Sequence, residues 1–322
     1  MKFLPNKLHD TLSRVPKHLP SPHQVANANP SINLLSLVQD SNYTPRQLLE
    51  ENNKFNSYST TFEGTVIRVY SHDGTPLHPK TWNLILVTVF LLNKLHRPVD
   101  HVDIALLYLK SKKHLPNASR ALEPRDVNSG VSIPVHRVCV IYRQEEMHKV
   151  IVHELMHIWG VDCASSAQKD LVVQHKLGIT CDLNGLRLGE AYNDALACLY
   201  LVALRIYFKH GLTDFYDHWA HEQSRGQKWT ASVAGNVIRY YDRIGKWQEK
   251  THVFAYYIGK AAIFTHLTLF DTWLKTLYGS FDCPDFYKFI DPLMNPTTIE
   301  KLRHSHDISC PDLSLRMFCK AT

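Results

Sequence analysis

The stretch Met147 to Gly160, MHKVIVHELMHIWG, constrains this chain more than any other, because it holds His153-Glu154-Leu155-Met156-His157. On an α-helix, residues four apart share a face, offset by about 40°, so both imidazoles leave the same side and can bind one cation. Glu154 follows the first His directly, which puts its carboxylate beside such a cation and not on it. Two neutral nitrogen ligands, with a base within reach of the water to be activated, are what metal-assisted hydrolysis needs. His153 and His157 are therefore candidate zinc ligands, and Glu154 is a candidate general base.

The flanks support a central position for this helix. Val135 to Tyr142, VHRVCVIY, is β-branched and alternating and predicts a strand. Arg143-Gln144-Glu145-Glu146 predicts a helix start with acidic residues where the macrodipole favours them. Val150, Ile151, Leu155 and Ile158 supply a stripe to bury. A strand leading into a His-Glu-x-x-His helix resembles the layout of the zincin metallopeptidases.

Catalytic zinc usually takes three protein ligands and keeps one position open, so a third must come from elsewhere. Leu186 to Leu201, LRLGEAYNDALACLYL, is strongly helical, and its Glu190 and Asp194 are four apart on one face. Glu-x-x-x-Asp after His-Glu-x-x-His resembles the gluzincin pattern. That resemblance implies that Glu190 is the third ligand and that Asp194 accepts from the distal nitrogen of His153, which orients the ring. An ordinary solvated helix face is the other reading of the same spacing.

Rivals for the third position stay open. The metzincin pattern places a His where this chain has Cys163, with Gly160 at the turn and Asp162 nearby. A thiolate can bind zinc, but Cys is commonly a small buried hydrophobe, and the Gly can simply end the helix in a left-handed conformation. His175 and Cys181 are further candidates.

At 322 residues with 44% hydrophobic and 20% charged residues, the chain reads as soluble and globular. A net charge of +6 is modest, and no dense Lys/Arg run marks a nucleic-acid surface. No apolar run is long enough to span a bilayer; the longest, Leu84 to Leu92, fits a buried helix. Residues 1 to 31 are Pro-, His- and Asn-rich and basic, without the apolar core of a secretory signal. They predict a mobile arm that lies on the domain or on a partner, with a transit peptide as the alternative. Seven Cys without a Cys-x-x-Cys pair favour free thiols in a reducing, intracellular compartment, Cys310 and Cys319 being the one pair to watch for a bridge.

In order along the chain, a helix is expected from Thr44 to about Phe55, with Pro45 at its first position. A strand follows at Thr65 to Tyr70, ended by the turn signal His72-Asp73-Gly74, then a helix at Pro79 to Leu95 and a strand at Val102 to Leu109. After about Leu183 the pattern is helical. The fold class is thus α+β. The resemblance implies a zincin-like N-terminal lobe (32–183), with a mixed sheet and the active-site helix. A mainly helical C-terminal lobe (184–322) would carry the third ligand, with the cleft near Leu183.

Val127 to Ile133, VNSGVSI, precedes the strand that feeds the His-Glu helix. In zincins an edge strand there pairs with extended substrate; a plain turn is the alternative. Thr251 to Leu267, THVFAYYIGKAAIFTHL, is the last stretch with chemistry. Peptide hydrolysis builds an oxyanion that a Tyr or His can stabilise. Tyr256-Tyr257-Ile258-Gly259 resembles the Tyr-x-x-Gly stretch of gluzincin aminopeptidases, which makes Tyr257 and His266 the candidates, against a core role for the aromatics. The Gly-x-Met-Glu-Asn signature of those aminopeptidases is absent.

Read together, VNSG, IYRQEEMHKV and HELMHIWGVD between Val127 and Asp162 resemble a group of metallopeptidases of large DNA viruses. The functional expectation is zinc-dependent hydrolysis of a peptide or protein substrate. The alternative is a non-catalytic structural or virion-associated protein that keeps the fold and uses the basic arm for assembly.

Overall fold

The computed structural model describes residues 2–25, 55–72, 75–117, 119–163, 166–181, 186–277 and 286–305. The helix expected from Thr44, the Asp73-Gly74 turn, the boundary at Leu183, Cys283, the Cys310 and Cys319 pair and the last residues lie outside this set. Phe55, expected to end a helix, begins a strand instead.

The described residues form an α+β fold with a mixed sheet. The chain divides into two compact units. One comprises Leu8–Lys112 and Asn128–Val161, and the other Met1–Lys7, Lys113–Val127 and Asp162–Thr322.

The first helix, α1 (Phe3–Leu12), opens the segment expected to be a mobile arm. Leu4, Leu8 and Leu12, at the i, i+4, i+8 spacing, are buried. The Asp271 carboxylate accepts hydrogen bonds from the backbone N–H groups of Lys2, Phe3 and Leu4 at 2.8, 3.0 and 2.8 Å. These are among the donors that a helix start leaves without intrahelical partners. Composition points to a mobile arm lying on the domain or on a partner; three leucines on one face and a distant acid make its first turns part of the fold.

The sheet contains β1 (His23–Val25), β2 (Phe55–Phe62), β3 (Thr65–His72), β4 (His101–Leu109), β5 (Gly130–Ile133) and β6 (Val138–Arg143), in the spatial order β1-β2-β3-β4-β6-β5. β2 and β3 are antiparallel across Glu63-Gly64, both at positive φ (51° and 83°), as a tight hairpin turn requires. The parallel step from β3 to β4 is made by α2 (Pro79–Leu95). Pro79 sits in the first turn of α2 and His78 Nδ1 accepts from the Lys80 N–H at 3.2 Å. β6 joins β4 in parallel, and β5 runs antiparallel to β6 at the edge.

All six residues of β6 are buried: Val138, Val140 and Tyr142 join Tyr70, Ala105 and Leu107 in one cluster, and Cys139 and Ile141 alternate to the other face. The strand begins at Val138 and not Val135, because Pro134–His136 form a 3-10 turn that Arg137 closes in the left-handed region (φ 53°). β6 leads into α3 (Met147–Ile158), which packs on α2, β5 and β6.

The second unit is mainly helical. Its elements are α4 (Ala167–Leu177), α5 (Gly189–His210), α6 (Phe215–Ile244), a π-helix at Phe254–Gly259, α7 (Lys260–Thr265), α8 (Leu267–Leu277), α9 (Phe286–Ile290) and α10 (Pro296–Arg303), with two-residue strands β7 (Thr180–Cys181) and β8 (Gln248–Glu249) paired in parallel. α5 is its central rod, buried without a break from Ala191 to Leu204. Tyr192 on α5 meets Phe270, Trp273 and Phe286 edge-on at 5.7 to 6.1 Å. No helix among the described residues is long and apolar enough to cross a membrane.

Candidate metal centre

α3 begins at Met147, with Glu146 held in the left-handed region just before it, so the acidic pair expected in its first turn lies ahead of the helix. Val150, Ile151, Leu155 and Ile158 are buried, as their spacing predicts, and so are His153 and Glu154. The two imidazoles stand edge to face, centroids 4.7 Å apart at 83°. Their Nε2 atoms are 3.1 Å apart. That separation is a hydrogen-bond distance between the rings, and it puts both nitrogens where one cation could take them.

One ligand atom each from His153, His157 and Glu190 lie within 4.8 Å of one another, the first residue buried and the other two half-buried. This is the one such group of three or more His, Cys, Asp or Glu among the described residues. Two imidazoles and a carboxylate form a donor set that suits zinc.

The rival third ligands have other roles or positions. Asp162 accepts a hydrogen bond from Asn193 Nδ2. Cys163 is disulfide-bonded, so it has no thiolate to offer a metal, and the expectation of free thiols holds at Cys139, Cys181 and Cys198 but not there. His175 is exposed and Cys181 half-buried, and neither joins the group.

Glu190 is the second residue of α5, where a carboxylate suits the positive end of the helix dipole. The chain turns into that helix through Arg187 in the left-handed region (φ 48°). Asp170 on α4 holds this turn, accepting from the Arg187 N–H at 2.9 Å, the Leu188 N–H at 3.3 Å and the Tyr287 hydroxyl at 2.7 Å. Asp170 is completely buried, and burial raises its pKa while these donors pull it back down.

Asp194, one turn beyond Glu190, is also completely buried, and its Oδ2 lies 2.8 Å from the Lys260 ammonium. Gly259, just before Lys260, packs so tightly on α5 that a β-carbon there would lie 2.8 Å from the Ala191 Cβ. Tyr257 is buried within the π-helix, and His266 caps the end of α7, half-buried, with burial and the nearby Lys301 lowering its pKa.

Three residues escaped the sequence reading. Lys260 had a visible signal, a lone cation inside the apolar run from Val253 to Phe264, since a charge there needs a buried partner. Gly130, whose missing side chain lets β5 approach α3, was legible as a Gly inside a strand pattern. Asp170 sits in an unremarkable amphipathic helix and gave none. Comparison of the chain with protein-family models, with curated proteins and with solved structures finds no match.

Proposed function

We propose that this chain is a zinc-dependent peptide hydrolase of gluzincin-like design. The observation that carries the reading is the 3.1 Å approach of the His153 and His157 Nε2 atoms within reach of a Glu190 oxygen, on a helix that presents Glu154 next to the first His. His153, His157 and Glu190 would hold the ion, and Asp194 would orient the His153 ring. Zinc, when bound, supplies Lewis acidity toward a water and toward the scissile carbonyl. Glu154 takes a proton from the attacking water and returns it to the leaving amine nitrogen. β5, at the sheet edge beside α3, offers backbone groups to an extended peptide, which fixes the scissile bond near Glu154. Of the two candidates for stabilising the oxyanion, Tyr257 is buried within the π-helix and His266 is half-buried, so His266 is the one open to substrate.

Glu154 separates this reading from a non-catalytic metal-binding protein, because holding zinc requires no base. The deciding experiment is elemental analysis of the purified chain followed by zinc titration, with one zinc per chain expected. A chain that carries no transition metal and takes up none sinks the proposal.

A further inference from the structure

The buried pair of Lys260 and Asp194 lies one helical turn from a proposed ligand. Asp194 Oδ2 and Lys260 Nζ are 2.8 Å apart, with side-chain exposures of 0% and 1%. Buried ion pairs are weak sources of stability, because desolvation offsets the attraction, so the use of this one has to be sought in what it positions.

Glu190 and Asp194 share a face of α5. On that stretch Ala191 Cβ receives Gly259 at a distance that admits no side chain on the glycine. Gly259 ends the π-helix, a geometry common at functional sites, and Lys260 follows it. The two neighbouring contacts, Gly259 on Ala191 and Lys260 on Asp194, tie adjacent residues to one face of α5 and set its rotation about its axis.

We infer that Lys260 is a positioning residue for the metal centre: acting through Asp194, it keeps the acceptor side chain in place and holds the Glu190 turn in register. This rests on the metal-site reading given above. The cation is held by the protein and is not offered to substrate, since its side chain is 1% exposed.

The test uses the full chain. Zinc affinity is measured by competition with a chromogenic chelator, well below each melting temperature, for the wild type, His157→Ala, Lys260→Met, Asp194→Asn and the double variant Lys260→Met/Asp194→Asn. Circular dichroism checks the fold of each. Lys260→Met and Asp194→Asn should each weaken zinc binding about tenfold to a hundredfold, the usual cost of losing a group that orients a ligand. The double variant should be no weaker than either single one, because the lysine acts through the aspartate.

A Lys260→Met chain that melts lower yet binds zinc like the wild type overturns the proposal, as do effects that simply add in the double variant. Should Lys260→Met fail to fold, the double variant, which leaves no uncompensated buried charge, decides: affinity like that of Asp194→Asn supports the proposal, and wild-type affinity overturns it. Failure of the metal-site reading is a distinct result, in which the wild type and His157→Ala bind zinc equally weakly; that removes both proposals together.

Discussion

A β-carbon placed on Gly130 would lie 3.1 Å from Glu154 Oε1 and 2.6 Å from Val150 Cγ1. The edge strand therefore rests directly on the turn of α3 that carries the proposed base, and only a residue without a side chain permits it. Gly130→Ala should push β5 away from α3, at a cost of about 1–3 kcal/mol. Activity on a peptide substrate should fall by about tenfold or more, with zinc content unchanged. Wild-type turnover in a correctly folded Gly130→Ala chain would show that the spacing of β5 and α3 is irrelevant to the reaction.

Glu154→Gln keeps the shape of the side chain and removes its proton acceptor. The variant should retain zinc and lose activity by on the order of a hundredfold or more. Steady-state kinetics beside elemental analysis checks both halves, and unchanged turnover eliminates Glu154 as the base.

Glu190→Ala removes a charged oxygen from the proposed ligand set and should weaken zinc binding severely. Cys163→Ser should leave zinc affinity nearly intact and lower the melting temperature, because that sulfur belongs to a disulfide. Chelator competition and thermal melts on both variants test this. The opposite pattern of affinities would reassign the third ligand.

Much of this was legible before the fold. The tract from Pro79 to Leu95 is helical between the limits read from its Pro and its apolar run, and the His-Glu helix buries the stripe its period predicts. Local patterns of this kind survive because a helix face or a strand alternation is set by neighbours in the chain. What stayed hidden depends on pairs far apart in sequence. Asp170 meets the turn at Arg187 and Leu188, Asp194 meets Lys260, and Asp271 meets the amides of Lys2 to Leu4, none of which a window of a dozen residues contains. The strand at Val135 was read too early because a Pro-led 3-10 turn shares the apolar character of the strand it introduces.

Glu249 gives the fold a definite response to pH. Burial pushes its carboxyl up from 4.5 to about 8, against the pull of the Trp247 indole N–H and the Phe254 and Val253 amides. The folded chain holds this proton where the unfolded chain releases it, so its stabilising contribution is full below about 4.5 and is lost as pH rises toward about 8. Glu249→Gln keeps an acceptor and has nothing to ionise. Thermal melts from pH 5 to pH 8 should show the wild type losing more stability than the variant, and parallel curves would remove Glu249 as the cause.

Asp271→Ala takes away the acceptor of three helix-start amides and should destabilise the chain by roughly 1–2 kcal/mol. The same contacts predict that deleting residues 1–31 lowers the melting temperature measurably. A deletion that melts like the parent would mean that α1 is dispensable.

The distance in sequence between α1 and its acid also sets an order of events during synthesis. Asp271 follows Lys2 by 269 positions. At about 5–20 residues per second, a ribosome needs roughly a quarter of a minute to a minute to cover that span. Throughout that interval the amides of Lys2, Phe3 and Leu4 exist without the carboxylate that accepts from them, and only once Asp271 has been made can the first turn of α1 close onto it.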